Sequence, residues 1–204
     1  MSFLHRIHIP LRTPISIKHF KERHQDLEPW EQNALDGLIA LRDGKDYVNN
    51  NHRYELSYDL LSLAYQEYLA ASRPKPNSQI ERDPYVLAKL SLWKGIALNE
   101  NLDILDPVAR NDRAIAHYRR GLAYLKNHDD PTLRMSLQNS LGVAYHHRNG
   151  QPIPPWSFKH YRAARALYDP TQKQMRAIMR KVVTNSGRQV GFAGGGEIGW
   201  NVVV

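Results

Sequence analysis

Apolar residues recur along most of the chain at the three- and four-residue spacing of an amphipathic helix. Regular alternation of apolar and polar residues, the mark of a half-buried strand, is not convincing anywhere after residue 20. The pattern therefore predicts an all-α protein. Two sets of residues show the helical spacing most clearly, one near each end of the periodic region: Trp30, Ala34, Leu38 and Leu41, and Met175, Ile178, Met179 and Val182.

Aspartate–proline pairs predict where several helices begin. An aspartate side chain accepts hydrogen bonds from free N–H groups at a helix start, and the proline that follows lacks an N–H that would be unpaired there anyway. Four such pairs occur, at Asp83, Asp106, Asp130 and Asp169, and Pro29 and Pro155 open two more helices, while Gly44, Gly150 and Gly187 are expected stops. The predicted helices span 29–43, 53–72, 84–100, 107–127, 131–148, 155–168 and 170–185.

Alternate helices carry a glycine in their interior, at Gly37, Gly95 and Gly142. Glycine inside a helix is less favourable than alanine by up to about 1 kcal/mol, so its recurrence indicates close helix packing. The helix after each glycine carries a small residue, then an aromatic residue four positions on, then a second small residue. These phrases are Ala64-x3-Tyr68-x2-Ala71, Ala114-x3-Tyr118-x2-Gly121 and Ser157-x3-Tyr161-x2-Ala164.

Together the phrases resemble the tetratricopeptide repeat (TPR) over about residues 29–170. The resemblance implies three helical hairpins stacked as an α-solenoid, with helix 170–185 as a C-terminal cap. The domains would be a basic arm or targeting segment over 1–28, a TPR-like domain over 29–185 and a glycine-rich tail over 186–204. The glycines lie 58 and 47 residues apart, whereas a regular array repeats every 34 or so. The alternative is an irregular helical bundle.

The resemblance also implies a mode of action. Tetratricopeptide arrays hold an extended peptide or a neighbouring subunit on the concave surface formed by the first helix of each hairpin. We therefore expect a scaffold, an assembly factor or a structural subunit of a larger complex, with other protein subunits as partners. By register from the three glycines, the partner groove would include Arg42, Lys89, Asn99, Asn139, His146 and His147.

Charge is unevenly distributed and predicts a second surface. The net charge is +8, but residues 21–109 carry a net −5 and residues 110–181 a net +10. Such asymmetry is typical of a surface for an acidic protein or for a polyanion. The alternative partner is RNA, with Tyr118, Tyr124 and Tyr161 stacking on bases. The expected basic face comprises Arg113, Arg119, Arg120, Arg162, Arg165, Lys173, Arg176 and Arg180.

The sequence offers little chemistry for an enzyme. The chain has no cysteine, no nucleophile elbow, no P-loop and no clustered acid–base pair, so no catalytic centre is expected. The adjacent His146 and His147 point to different helix faces, so no metal site is expected. The run 194–199 satisfies the dinucleotide pattern G-x-G-x-x-G, but the strand and helix that the pattern requires are missing, and no cofactor is expected. We interpret this run as a linker to an apolar tail anchor, comprising Trp200, Val202 and Val204.

The first 20 residues bear on localisation. They contain three basic residues, Arg6, Arg12 and Lys18, and no acidic residue, which is typical of a mitochondrial transit peptide. Pro10 and Pro14 would interrupt the amphipathic helix of such a peptide. The alternative is an extended arm that pairs with a partner. The chain has no apolar run near the roughly 20 residues that cross a bilayer, and we expect an intracellular protein, mitochondrial in preference to cytoplasmic.

Overall fold

The computed structural model describes residues 27–46, 51–71, 83–101, 106–149 and 154–187. Every regular element within these ranges is an α-helix, so the all-α prediction is confirmed for the described chain. Five of the seven helices in these ranges begin at the prolines that predicted them. The helices are α1 Pro29–Asp46, α2 Asn51–Ala71, α3 Pro84–Glu100, α4 Pro107–Tyr124, α5 Pro131–Asn149, α6 Pro155–Ala166 and α7 Lys173–Gly187.

Three of the aspartates act at helix starts as predicted. Asp83 Oδ1 accepts a hydrogen bond from the N–H of Tyr85 at 2.9 Å, and Asp106 Oδ1 accepts one from Val108 at 2.8 Å. Asp130 Oδ1 accepts from the backbone of the third helical residue at 2.7 Å. Each bond satisfies one of the N–H groups that have no partner within the helix.

Two residues predicted to mark a helix boundary, Asp169 and Gly44, do not mark one. Asp169 accepts from both the N–H and the hydroxyl of Thr171, at 2.9 and 2.7 Å, so it closes a turn, and α7 begins only at Lys173. Gly44 lies inside α1, which continues to Asp46. Glycine lowers helix stability by only about 1 kcal/mol relative to alanine, and this does not end a helix packed along its length.

Consecutive helices pack as pairs: α1 with α2, α3 with α4, and α5 with α6. The second pair is antiparallel: Asn101 at the end of α3 accepts a 2.8 Å hydrogen bond from Arg110 at the start of α4, and Gly121 near the end of α4 lies against Ala88 near the start of α3. α2 also packs on α3, and α4 on α5, so the three hairpins form a row. The helical domain is therefore an all-α, solenoid-like stack of three hairpins.

The seventh helix closes the row by packing on α5 and α6. Met175 and Val182 of α7 are fully buried, in a cluster with Met135 of α5 and with Tyr161 and Ala164 of α6. A second, larger core runs from α1 to α5. Because the end of a hairpin stack would otherwise expose an apolar surface, α7 serves as the predicted cap.

Gly95 and Gly142 lie at helix contacts, as predicted. A Cβ atom at Gly95 would come within 2.8 Å of three ring atoms of Tyr118, and a Cβ at Gly142 would meet Tyr161 as closely. Real Cβ atoms essentially never approach other atoms that closely, so each tyrosine packs flush against the backbone of the glycine-bearing helix. Both contacts join the two helices of one hairpin.

The first hairpin departs from the predicted phrase by two helical turns. Gly37 faces Leu61, whose Cγ would lie 2.8 Å from a Cβ there, and Ser57 donates a 2.7 Å hydrogen bond to the Gly37 carbonyl. Tyr68, predicted to fill this place, instead packs edge-on against Trp30, with ring centroids 4.7 Å apart. The equivalent phrase is therefore Ser57-x3-Leu61-x2-Ala64.

Candidate partner-binding site

The residues predicted to line the partner groove do not form one open surface. Lys89, Asn99 and Asn139 are buried, with 8%, 5% and 8% of their surfaces exposed. Lys89 and Asn99 lie ten residues apart on α3, about 15 Å along the axis at 1.5 Å per residue. His146 and His147 lie near the end of α5. The side chain of Arg42 lies outside the described residues.

Local contacts explain the burial of two of these residues. Asn139 of α5 accepts a hydrogen bond from the side chain of Asn185 of α7 at 3.3 Å, so the capping helix occupies this part of the predicted groove. Lys89 places its Nζ 4.4 Å from the centroid of the Tyr85 ring. Burial lowers the pKa of Lys89 to about 8, against the opposite influence of Asp130.

The predicted basic face is largely exposed. Arg165 is half-buried, and the other seven residues are exposed on α4, α6 and α7. Arg176 donates to the backbone carbonyl of Pro170 at 2.8 Å, and Arg119 donates to the hydroxyl of Tyr145. Because both acceptors are uncharged, these bonds orient the two arginines without neutralising them.

The tyrosines interleaved with the basic residues are not free to stack on bases. Tyr118 and Tyr161 are 1% and 2% exposed, since their rings pack against the glycine-bearing helices. Tyr124 is half-buried, and its hydroxyl lies 2.5 Å from that of Tyr65. Single-stranded RNA is commonly held by exposed aromatic faces. Two of the three predicted platforms therefore belong to the core.

A cluster that the sequence analysis missed lies where α2, α3 and α4 meet. Lys94 of α3 is 7% exposed, and its Nζ lies 5.0 Å and 5.4 Å from the ring centroids of Tyr65 and Tyr58 of α2. Arg113 of α4 lies 5.2 Å from the Tyr58 centroid. We call the set comprising Tyr58, Tyr65, Lys94, Arg113, His117, Arg120 and Tyr124 the Lys94 groove.

The charged groups of the Lys94 groove are all of one sign. Burial lowers the pKa of Lys94 to about 8, and the positive charges of Arg120 and Arg113 lower it further. Burial also lowers the pKa of His117 to about 4, with Lys94, Arg120 and Arg113 acting in the same direction. The charged side chains that influence these two groups are thus all cationic within the described chain.

The sequence contains a pattern that could have identified the α4 side of the groove. Arg113, His117, Arg120 and Tyr124 follow one another at spacings of four, three and four, so they share one face of α4. Our prediction grouped the arginines by charge alone, without separating the faces of the helix. Lys94 had no such signal, because it sits in an otherwise apolar phrase beside Gly95. Only the packing of the neighbouring helices shows that it is enclosed.

No protein-family model, curated protein or solved structure matches the chain. In the part of the chain that the structure describes, no helix is long and apolar enough to cross a membrane. No group of three or more histidine, aspartate or glutamate residues is placed there to hold a metal ion. The fold and the surfaces therefore define a class by architecture: stacked α-helical hairpins with exposed basic residues on the later helices.

Proposed function

We propose that this protein is a TPR-like scaffold, an assembly factor or subunit of a larger complex, that binds an acidic segment of a partner protein. The observation that carries the proposal is the set of seven exposed basic residues on α4, α6 and α7. A rigid helical stack that presents such residues can hold a partner of opposite charge without ordering itself first. No catalytic group is part of the proposal.

Two further features support a protein partner over RNA. Tyr118 and Tyr161 are committed to the core, which removes two of the aromatic platforms that RNA binding would use. The remaining contribution to RNA binding would be contact between basic side chains and phosphates, which carries no sequence information. An acidic protein segment requires only the charges, and these are exposed.

The test is recovery of partners from a native extract, with and without nuclease, by wild-type protein and an Arg162→Glu/Arg180→Glu variant. Both arginines are exposed, so their reversal should leave the fold intact. We expect nuclease-resistant recovery of a protein with an acidic segment by the wild type, and its loss with the variant. Opposite-charge contacts on a surface weaken with salt, so recovery should also fall as ionic strength rises.

The matched control is Arg53→Glu/Lys126→Glu, which makes the same change in net charge at exposed positions on α2 and after α4. It should recover the partner as the wild type does. If nuclease abolishes recovery, the molecule that binds this surface is RNA and not an acidic protein segment. Recovery insensitive to both double variants would place the binding surface elsewhere.

We further propose that residues 1–20 direct the chain to mitochondria. The support is compositional: three basic and no acidic residues. These residues lie outside the described ranges. A fusion of residues 1–25 to a fluorescent reporter should colocalise with a mitochondrial dye, and Arg6→Glu/Arg12→Glu should abolish import. A diffuse cytosolic signal from both the fusion and the tagged full-length protein would contradict this proposal.

A further inference from the structure

The Lys94 groove is bounded by three helices. α3 packs on both α2 and α4 and forms the floor, where Lys94 lies. Two contacts join the walls above it: Tyr65 to Tyr124 through their hydroxyls at 2.5 Å, and the Tyr58 hydroxyl to His117 Nε2 at 3.4 Å. Side chains of α2 and α4 therefore meet over Lys94 of α3.

Packing alone does not account for a lysine at this position. Lys94 immediately precedes Gly95, as Leu141 immediately precedes Gly142 in the next hairpin, and Leu141 is fully buried. The fold thus accepts an apolar residue at the equivalent place. A buried cation without an anion is unfavourable, and the tyrosine rings only partly offset the lost hydration.

The carboxylate next to Arg113 in sequence already has a cationic partner. Asp112, beside Arg113 in sequence, accepts from Arg148 Nε of α5 at 2.5 Å. The charges that act on Lys94 come from Arg113 and Arg120 instead, and both of those arginines are exposed at the rim. Three cations thus lie close together, with no carboxylate shown among the described residues to balance them.

We propose that the Lys94 groove binds an oxyanion, the carboxylate or phosphate of a side chain, on an extended segment of a partner protein. The proposal rests on the proposed function and names the chemical group that the stack would recognise. Arg113 and Arg120 contact the oxyanion from the rim, and Lys94 supplies the charge beneath it. Charge-assisted bonds to an oxyanion are stronger in such an enclosed site than on an open surface.

A second cationic position on α4 sets the expected spacing in the partner. Arg119 donates to Tyr145 of α5, whose ring stacks on that of His160 of α6 with centroids 5.4 Å apart. Arg119 is thus on the α5 side of α4 and the groove is on the α2 side, and a helix with its side chains is about 10–12 Å across. An extended chain advances about 3.3 Å per residue, so acidic residues about three positions apart would reach both positions.

The test uses a fluorescein-labelled ten-residue peptide of glycine and serine with glutamates at positions 4 and 7, followed by fluorescence anisotropy. We expect Lys94→Met and Arg113→Gln/Arg120→Gln to weaken binding at least about tenfold, because each removes charge from the enclosed contact. Lys126→Met, at an exposed position, is the control and should bind as the wild type does. Lys94→Met should remain folded, as judged by circular dichroism and thermal unfolding, since Leu141 occupies the equivalent place.

A second readout distinguishes direct contact from altered folding. With lysines labelled by reductive 13C-methylation, the Lys94 resonance, assigned through Lys94→Met, should shift on addition of the peptide, while that of Lys126 should not. A peptide with phosphoserine at positions 4 and 7 identifies the preferred oxyanion. Tighter binding than the glutamate peptide assigns phosphate, and equal or weaker binding assigns carboxylate.

Three results would overturn the proposal. These are equal affinity of wild type and Lys94→Met, no binding of either peptide, or Lys94-dependent binding of a single-stranded oligonucleotide in place of the peptides. The first two leave the proposed scaffold function standing if Arg162→Glu/Arg180→Glu still loses its partner. If Arg162→Glu/Arg180→Glu instead keeps its partner while Lys94→Met still weakens peptide binding, only the role of the wider basic surface is contradicted.

Discussion

Gly142 of α5 and Tyr161 of α6 pack so closely that no side chain fits between them. A Cβ at Gly142 would lie 2.4 Å from Cε1 of Tyr161, and Gly95 stands in the same relation to Tyr118, at 2.3 Å. The second and third hairpins are thus each joined by a tyrosine ring that packs on the backbone of a glycine. This contact sets how closely the two helices of a hairpin approach, and hence the dimensions of the stack.

Gly142→Ala should therefore destabilise the protein although alanine favours helices. Overpacking costs about 1–3 kcal/mol, which exceeds the gain of up to about 1 kcal/mol in helix propensity. The measurement is the free energy of unfolding in urea. In a Tyr161→Leu background the same substitution should cost less, because the ring that it meets is gone. Additive effects of the two substitutions would show that the pair is not in contact.

The sequence revealed this contact only in part. Glycine in a helix interior and tyrosine at a fixed place in the next helix were visible for the second and third hairpins. In the first hairpin, Leu61 takes the place of the tyrosine, whereas the predicted phrase contains Tyr68, two turns further on. The error arose because leucine is too common in helices to mark one position, whereas the backbone contact with Gly37 identifies it at once.

The candidate site was less predictable than the fold. Exposed arginines were recognised from their numbers and charge, since most charged side chains lie on the surface. The same reasoning fails for Lys89 and Lys94, because both are buried beside tyrosines. Burial of Asn139 depends on Asn185, a residue 46 positions away on α7. Contacts between distant parts of the chain, which set these environments, have no local signal in the sequence.

The capping role of α7 predicts a graded response to truncation of its methionines. Met175 is fully buried between helices, whereas Met179 is half-buried. Met175→Ala should lower the free energy of unfolding by about 2–5 kcal/mol, since it leaves a cavity in a packed core. Met179→Ala is the matched control and should cost clearly less. Equal effects in urea unfolding would mean that α7 does not seal the stack.

The depressed pKa of His117 predicts a specific pH dependence of stability. With an ordinary pKa of 6.5 when unfolded and about 4 when folded, the histidine binds a proton preferentially in the unfolded chain between these values. Stability should thus be highest above pH 6.5 and fall as the pH drops towards 4. His117→Gln should reduce this loss, as measured by urea unfolding at pH 7, 6 and 5.

NMR titration of His117 offers a check on the cause. Tyr58 of α2, Lys94 of α3 and Arg113 and Arg120 of α4 face this histidine. Lys94→Met removes one of the three repelling charges and should raise the pKa of His117 from about 4 towards its ordinary value. An unchanged pKa would show that Lys94 and His117 do not share the groove.

Titration of Lys94 should control binding of the acidic peptide at alkaline pH. The pKa of Lys94 is about 8 in the free protein, and a bound oxyanion would raise it. Affinity should therefore fall between pH 7 and pH 9 as the free lysine loses its proton. His117, whose pKa is about 4, is already neutral over this range. Lys94→Met should lose this alkaline decline, and an identical decline in both proteins would assign it to other groups.

The most direct test of the account is to identify what touches α4 in a native extract. A photo-crosslinking amino acid at Ala116, exposed beside the Arg113 and Arg120 face, would capture the bound molecule, and the same residue at exposed Ala70 of α2 serves as control. Mass spectrometry should find an acidic protein segment joined to position 116 and absent from position 70, with capture reduced by Lys94→Met. Crosslinks to RNA at position 116, or to the same proteins from both positions, would contradict binding of an acidic partner at this surface.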